Sequence, residues 1–432
     1  MTPPRPLRRR LGTSRRRFLA ATAGGAAALA LPRSAPAADA PRKKVALLGT
    51  VCYTHSHTQH FLDRLAMGYA WGGGWQAPRV DLVSVYLDQF PESDSGRARL
   101  KKHGIEAAPS IEAALTRGGG ELAVDGVVVI GEHGSYPVNE KGQTRYPRHA
   151  WFKEIVKVFE ATGRSVPVFN DKHLSTVWDE CAEMVADSRR LDFPFLAGSS
   201  LPVTLREPAI DMPTDAPLVE SVCVGYGGPD SYDFHALETA QCMSERRRGG
   251  EVGIRSVHAL KGPPLWEALA VPDREATRRL VVAALTRSHN LPVDGGYPTA
   301  PVTFDWAREA LASTTGYLIE HRDGFRTTML LAPIQDFNYA GLRSDTDEIV
   351  SCQMVLPMPG HGATTADFFT PLVRHIETMV IERRAPYPVE RTLLTSGMVI
   401  AGVDSLHAGT RIETPAMEVR YAGPRESTFW RA

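Results

Sequence analysis

The chain predicts an α/β architecture in which a doubly wound parallel sheet over residues 38–200 is followed by an α+β domain over 201–432, built on a mostly antiparallel open sheet. Three observations carry this. Short continuous apolar runs, each stopped by glycine or an acidic residue, recur through the first half, as expected for parallel strands buried on both faces. Segments of helical spacing separate them, so strands and helices alternate. Beyond Ser199 the runs give way to polar and apolar alternation between Gly, Pro and Asp turns, which suits an antiparallel sheet with one wetter face.

Taken in order, Val45-Ala46-Leu47-Leu48-Gly49 is the first strand, and a helix over 57–67 follows it. Residues 80–87 repeat the strand signal and end on Asp88, while 97–103 and 111–115 are short helices. A third strand occupies 124–130. Apolar side chains at 152, 155, 156 and 159 share one face of a helix over 151–162, and 166–169 close a fourth strand. A helix over 177–191 leads to a strand at 194–197. In the second half, strands are expected at 219–224, 253–260, 315–320, 326–331 and 349–356, with helices over 232–247 and 366–381.

The first 37 residues read as an export signal. A basic stretch through Arg8, Arg9 and Arg10 precedes Ser14-Arg15-Arg16-Arg17-Phe18-Leu19, then a Gly- and Ala-rich apolar segment, then Ala35-Pro36-Ala37 for a signal peptidase. Paired arginines before a weakly apolar core match the twin-arginine pattern, making that translocase a transient partner and the periplasm or exterior the destination. No later run approaches the ~18 uncharged apolar residues of a membrane helix, so no membrane attachment is expected after cleavage. With 49 basic against 49 acidic residues, the chain lacks the charge excess of a nucleic-acid binder. Its five cysteines form no CxxC pair and read as small buried apolar residues.

Four short motifs occur in a telling order: Asn170-Asp171-Lys172-His173-Leu174-Ser175, Ala197-Gly198-Ser199-Ser200, Asp233-Phe234-His235-Ala236-Leu237-Glu238, and Ala385-Pro386-Tyr387-Pro388 before a helix with Ser405, Gly409 and Pro415. Together they resemble the Gfo/Idh/MocA family, nicotinamide-dependent sugar oxidoreductases of the glucose-fructose oxidoreductase and inositol dehydrogenase type, over nearly the whole of 38–432. The resemblance implies a Rossmann-like first domain, NAD(P) as cofactor and a sugar or polyol substrate. It places Lys172 and His235 as acid/base residues with Asp233 beside them, and implies pairing of copies through the second sheet. The family's Gly-x-Gly-x-x-Gly turn here reads Gly49-Thr50-Val51-Cys52-Tyr53-Thr54, in which only Gly49 survives, and Val51 and Tyr53 bring side chains where a dinucleotide phosphate needs bare backbone. Asp88 stands where the family holds a ribose hydroxyl. Gly131-Glu132-His133-Gly134-Ser135-Tyr136-Pro137 and a polar insertion through Arg148 replace the family's third loop, with Glu132 and His133 facing the cofactor crevice.

Ligands on doubly wound sheets bind beyond the carboxyl ends of the strands, which gathers His55, His57, His60, Glu132, His133, Asp171, Lys172 and His173. In one reading, Lys172 and His235 hold a substrate hydroxyl and relay its proton while hydride moves to or from the nicotinamide. In a second, His55 and His57 with His133 or His173, and Glu132 or Asp171, ligate zinc or another divalent ion for a hydrolase, lyase or isomerase of carbohydrate-like substrates. That pairing needs an extended loop, because residues two apart share a face in a strand and not in a helix. A non-catalytic carbohydrate-binding protein is the third. Trp71-Gly72-Gly73-Gly74-Trp75 is either a loop lining the crevice or a solvated insertion.

Overall fold

Six parallel strands form the first sheet: β1 (Lys44–Gly49), β2 (Asp81–Leu87), β3 (Glu106–Ala108), β4 (Gly126–Ile130), β5 (Val168–Asp171) and β6 (Phe195–Gly198), in the order β3-β2-β1-β4-β5-β6. The structure is a computed structural model and describes residues 41–359 and 363–431; the export signal, its cleavage point and the location they imply lie outside the described residues. Both faces of the sheet are apolar, as the uninterrupted runs predict. Ala46, Leu48, Val127 and Val129 meet α3 (Ile111–Thr116), α4 (Arg148–Thr162) and α5 (Trp178–Arg190). Val45, Leu47, Val128 and Ile130 meet α1 (His57–Met67), α2 (Gly96–His103) and α10 (Phe369–Glu382). The last helix returns from the second half of the chain to close the first sheet, pinned by Arg79 Nη1 to Thr378 at 2.7 Å and by Tyr69 to Glu377.

Eight strands form the second sheet: β7 (Arg206–Glu207), β8 (Leu218–Gly225), β9 (Ile254–Lys261), β10 (Thr315–His321), β11 (Arg326–Leu331), β12 (Phe337–Arg343), β13 (Ile349–Met354) and β14 (Ile412–Glu413). Their order is β14-β9-β10-β11-β8-β12-β13-β7, antiparallel except for the parallel central pair β8 and β11. One face packs on α6 (Asp233–Ser244), every residue of which is buried, and on α11 (Glu390–Ala408).

The expected wet face is absent. Val222, Val224, Leu330, Ala340 and Leu342 project from the opposite side, and α7 (Pro263–Ala270), α8 (Glu275–Leu285) and α9 (Phe304–Ala310) cover them with Leu265, Trp266, Leu280, Val281 and Trp306. An exposed apolar face of that size would cost water contact, so the chain between β9 and β10 supplies its own lid. The Trp71–Trp75 stretch is a β-hairpin rather than a crevice loop: Gly72 and Gly73 turn it with φ of 58° and 79°, and Trp71 stacks on Trp430 at 5.3 Å. All five cysteines are unpaired and buried. Among the described residues no helix is long and apolar enough to cross a membrane.

Candidate active site

The carboxyl ends of β1, β4, β5 and β6 and the start of α6 converge on a cavity of ≈ 180 Å³. The first sheet brings His57, Glu132, His133, Asp171 and Lys172 to it. The second half brings Tyr232, His235, Leu356 and Met358, and α10 brings the Phe369 ring as an apolar wall. Two of these residues sit in left-handed backbone: His133 at φ 69° and Lys172 at φ 63°. Such backbone costs about 1 kcal/mol or more in a non-glycine residue and persists only where the surroundings fix it. Here Lys172 N–H donates to Gly198 O at 3.1 Å, so β6 clamps the turn that aims the lysine.

Electrostatics divide the cavity into two braced pairs. Lys172 Nζ donates to Glu132 Oε1 at 3.0 Å and Arg148 Nη2 to Glu132 Oε2 at 2.5 Å, all three groups being buried. Burial pushes the Glu132 carboxyl up, but Lys172 and Arg148 outweigh it and hold it well below the usual carboxylate range. Burial likewise lowers Lys172, and Glu132 and Asp171 more than restore it, so the ammonium stays charged. Beside this group, His57 Nδ1 lies 2.5 Å from Asp171 Oδ2. A carboxylate only accepts, so Nδ1 carries the proton and Nε2 is the nitrogen left to work. Burial, then the neighbouring His57, lowers His133 to about 4. Burial, then Lys172, brings His235 well below its ordinary value, so both are neutral donors or acceptors near neutral pH. Three buried atoms of cavity-lining residues, His133 Nε2, His235 Nδ1 and Asp171 Oδ1, have no partner among the described residues. Orphaned buried polar atoms are costly, and a ligand rich in hydroxyls is the kind that satisfies them.

The metal set named from sequence does not assemble. His55 lines the same cavity but is exposed, with φ 70°, on the turn before α1, whereas His57 is the first residue of that helix and is committed to Asp171. His173 is buried behind the cavity: Arg148 Nη1, which only donates, takes up His173 Nε2 at 3.0 Å, and Arg148 lies second to burial in lowering that imidazole. A guanidinium in that place opposes a cation. Among the described residues no three His, Cys, Asp or Glu side chains are disposed to hold a metal ion. His60 packs its ring on Phe369 at 4.9 Å. Asp233 lies beneath the site, accepting from Phe234 N–H and from Tyr317 OH at 2.9 Å, and burial pushes it up to about 7.

Whether a dinucleotide fits is decided by the loops over β1 and β2. Gly49 packs a strand end on a helix: a Cβ there would meet Thr58 Cγ2 at 2.6 Å. The turn that follows spends its donors internally. Tyr53 N–H and Gln59 N–H both donate to Ser56 Oγ, at 3.1 and 3.3 Å, and His55 N–H donates to Gln59 Oε1 at 2.6 Å. Asp88 accepts from Tyr86 OH at 2.8 Å and from Tyr136 OH at 2.6 Å. Tyr136 reaches it because the loop after β4 crosses the carboxyl ends of β1 and β2, locked by a two-way amide pair between Gln89 and Ser135 at 2.9 and 3.0 Å. The loop continues as a strap, fastened by Gln143 and Thr144 to Asp230 and by Lys141 to Asp404 at 2.6 Å. The Asp88 carboxylate that the resemblance assigns to a ribose hydroxyl is thus already engaged by two tyrosine hydroxyls, and the turn after β1 lacks the glycines that bring bare backbone to a pyrophosphate, so this end of the sheet departs from the dinucleotide-binding pattern.

Arg148, Tyr232, Leu356, Met358 and the two phenylalanines at 368 and 369 are the parts of the site that sequence reasoning passed over. Arg148 alone left a signal, as the residue that ends a polar insertion and opens a helix.

No family model matches the chain, and no curated protein does. Solved structures do. GenD2 from gentamicin A biosynthesis, in complex with NAD, is 14% identical, with 86% of this chain and 96% of that one covered, at a TM-score of 0.52. Myo-inositol dehydrogenase from Lactobacillus casei, in complex with NAD(H) and myo-inositol, is 10% identical, with 86% and 97% covered, at 0.51. These likenesses establish the fold, a Rossmann-like sheet followed by an α+β domain, as the Gfo/Idh/MocA resemblance implies.

Proposed function

We propose that the protein is an enzyme that moves protons on a small polyhydroxylated substrate, a sugar or polyol derivative with a carbonyl group. The observation that carries this is the meeting of two separately braced proton carriers, His57 on Asp171 and Lys172 on Glu132, at one cavity with orphaned polar atoms. His57 Nε2 takes a proton from the carbon next to the carbonyl. The electron pair moves onto the carbonyl oxygen, and the Lys172 ammonium stabilises that oxygen by hydrogen bonding. Delivery of a proton to the opposite face of that carbon epimerises it; delivery to the former carbonyl carbon, with the neighbouring hydroxyl proton passing to the other oxygen, isomerises; and departure of a β-hydroxyl that takes up a proton eliminates water. His133 and His235, kept neutral, hold substrate hydroxyls.

The test is exchange in deuterium oxide. Aldoses, ketoses and inosose-type ketones incubated with the protein lose the proton signal of the carbon beside the carbonyl, and the His57→Gln variant does not promote the loss. Absence of exchange from every such substrate refutes the reading.

A nicotinamide-dependent sugar oxidoreductase is the second reading, favoured by the fold shared with two dinucleotide-bound relatives and by Lys172 and His235 at the cavity. The strap over β1 and β2 speaks against it, and a dinucleotide retained through native mass spectrometry would decide for it. The twin-arginine sequence around Arg15-Arg16-Arg17 supports work beyond the cytoplasmic membrane, which cell fractionation tests.

A further inference from the structure

A second cavity, of ≈ 360 Å³, adjoins the first. Tyr232, Leu356 and Met358 line both, so the two cavities are immediate neighbours. The reaction chamber measures ≈ 180 Å³, half the volume of its neighbour. We propose that the larger chamber is a subsite for a second sugar unit, so that the substrate is a glycoside or disaccharide rather than a free monosaccharide. This rests on the reading of the smaller chamber as a sugar site.

The chemistry of the walls selects the ligand class. Tyr226 and Tyr232 present half-buried rings with centroids 4.6 Å apart and planes tilted by 41°. Such faces take the C–H side of a pyranose, while the hydroxyls around its rim need amides and imidazoles. His289, Asn290 and Gln335 supply them from the exposed edge. Among the described residues no lysine or arginine lines the chamber, so none of them there answers a phosphate. Its one carboxylate, Asp336, is buried and already engaged: Oδ2 accepts from Ser288 Oγ, His289 N–H, Asn290 Nδ2 and Gln353 Nε2 at 2.9 to 3.1 Å, and Oδ1 accepts from Asn338 Nδ2 at 2.6 Å. That carboxylate calls for no cation. It pins the 288–290 segment, so the rim is formed before any ligand arrives and little ordering has to accompany binding. A neutral, hydroxyl-rich ring is the ligand these walls describe.

Calorimetric titration with cellobiose, maltose, lactose and other common disaccharides, each against its component monosaccharides, reads the proposal out. At least one disaccharide should bind about ten-fold tighter than either component, a gain of ~1.4 kcal/mol. The paired His289→Ala and Asn290→Ala change, on exposed rim residues, should erase that gain while monosaccharide affinity stays within about two-fold. Tyr226→Phe, which keeps the ring, should retain it. Disaccharides that bind no tighter than their units overturn the subsite, as does a gain that survives loss of the rim. Failure of every mono- and disaccharide to bind at millimolar concentration instead removes the sugar-site reading on which the proposal stands.

Discussion

Replacing Glu132 by Gln takes away the carboxylate that separates Lys172 Nζ, at 3.0 Å, from Arg148 Nη2, at 2.5 Å. Both cations are buried, so neither can turn to water when its partner is neutralised. Removing one member of a buried ion pair costs about 3–5 kcal/mol, and the amide oxygen still accepts from one cation, which places Gln near the lower figure and Ala near the upper. Taking an unfolding entropy of ~2.1 cal/mol/K per residue over the ~390 residues of the compact unit, this lowers Tm by about 4–6 °C. The pH dependence has a definite sign. Because the folded carboxyl lies well below its unfolded value, its contribution is full above ~4.5 and is lost progressively as pH falls from there through the folded value, so wild type and variant draw together in acid and converge only in strong acid. Lys172 loses the first of the influences that offset its burial, so its ammonium becomes easier to deprotonate and the alkaline limb of any pH–rate profile moves to lower pH. Scanning calorimetry at pH 7 and at pH 3 measures the first effect. A Tm within about 1 °C of wild type at pH 7 would show that the two cations do not depend on Glu132, and the account of the site would fail with it.

Asp171→Asn should leave the fold intact and slow carbon–proton exchange by about 10²-fold or more, since the amide no longer fixes the Nδ1–H tautomer of His57; unchanged exchange would free His57 from its assigned part. NAD⁺, NADH and their 2′-phosphorylated forms should show no saturable binding to the intact protein at millimolar concentration by calorimetry or nicotinamide fluorescence, because Tyr136 already occupies the Asp88 carboxylate and the loop after β4 is tied across to Gln89. Burial lifts Glu238 to about 7, so the folded state binds a proton that the unfolded chain has released, and stability falls as pH rises from ~4.5 to 7 and is lost above it. Glu238→Gln should therefore stabilise the protein at pH 8, by up to about 3 kcal/mol, with no gain at pH 4; equal Tm at both would contradict it.

The first sheet is legible residue by residue because parallel strands buried on two faces cannot tolerate polar interruption: Val45 to Leu48 and Val127 to Ile130 are nearly free of solvent. The start of α1 at His57 is legible too, with Ser56 as its cap. Strand β12 is not. Phe337-Asn338-Tyr339-Ala340-Gly341-Leu342 alternates weakly, because all six residues are buried between the helices on the two faces of the sheet. The helices over β8 and β11 escaped for another reason, since the alternation in those strands looked complete with one face wet. At the site, which residues gather could be read from the strand ends. Which of them touch could not: His57 and Asp171 lie 114 residues apart, and a left-handed φ at His55 undoes the spacing that suggested two ligands. Asp88 kept its place at the end of a strand while the insertion beside it changed its partner.

The cover that α7, α8 and α9 lay over the second sheet bears on how the protein can be handled. The broad apolar face of the second sheet is already shielded by these three helices. The protein should then tolerate fusion or surface immobilisation on the α8 side without losing its site.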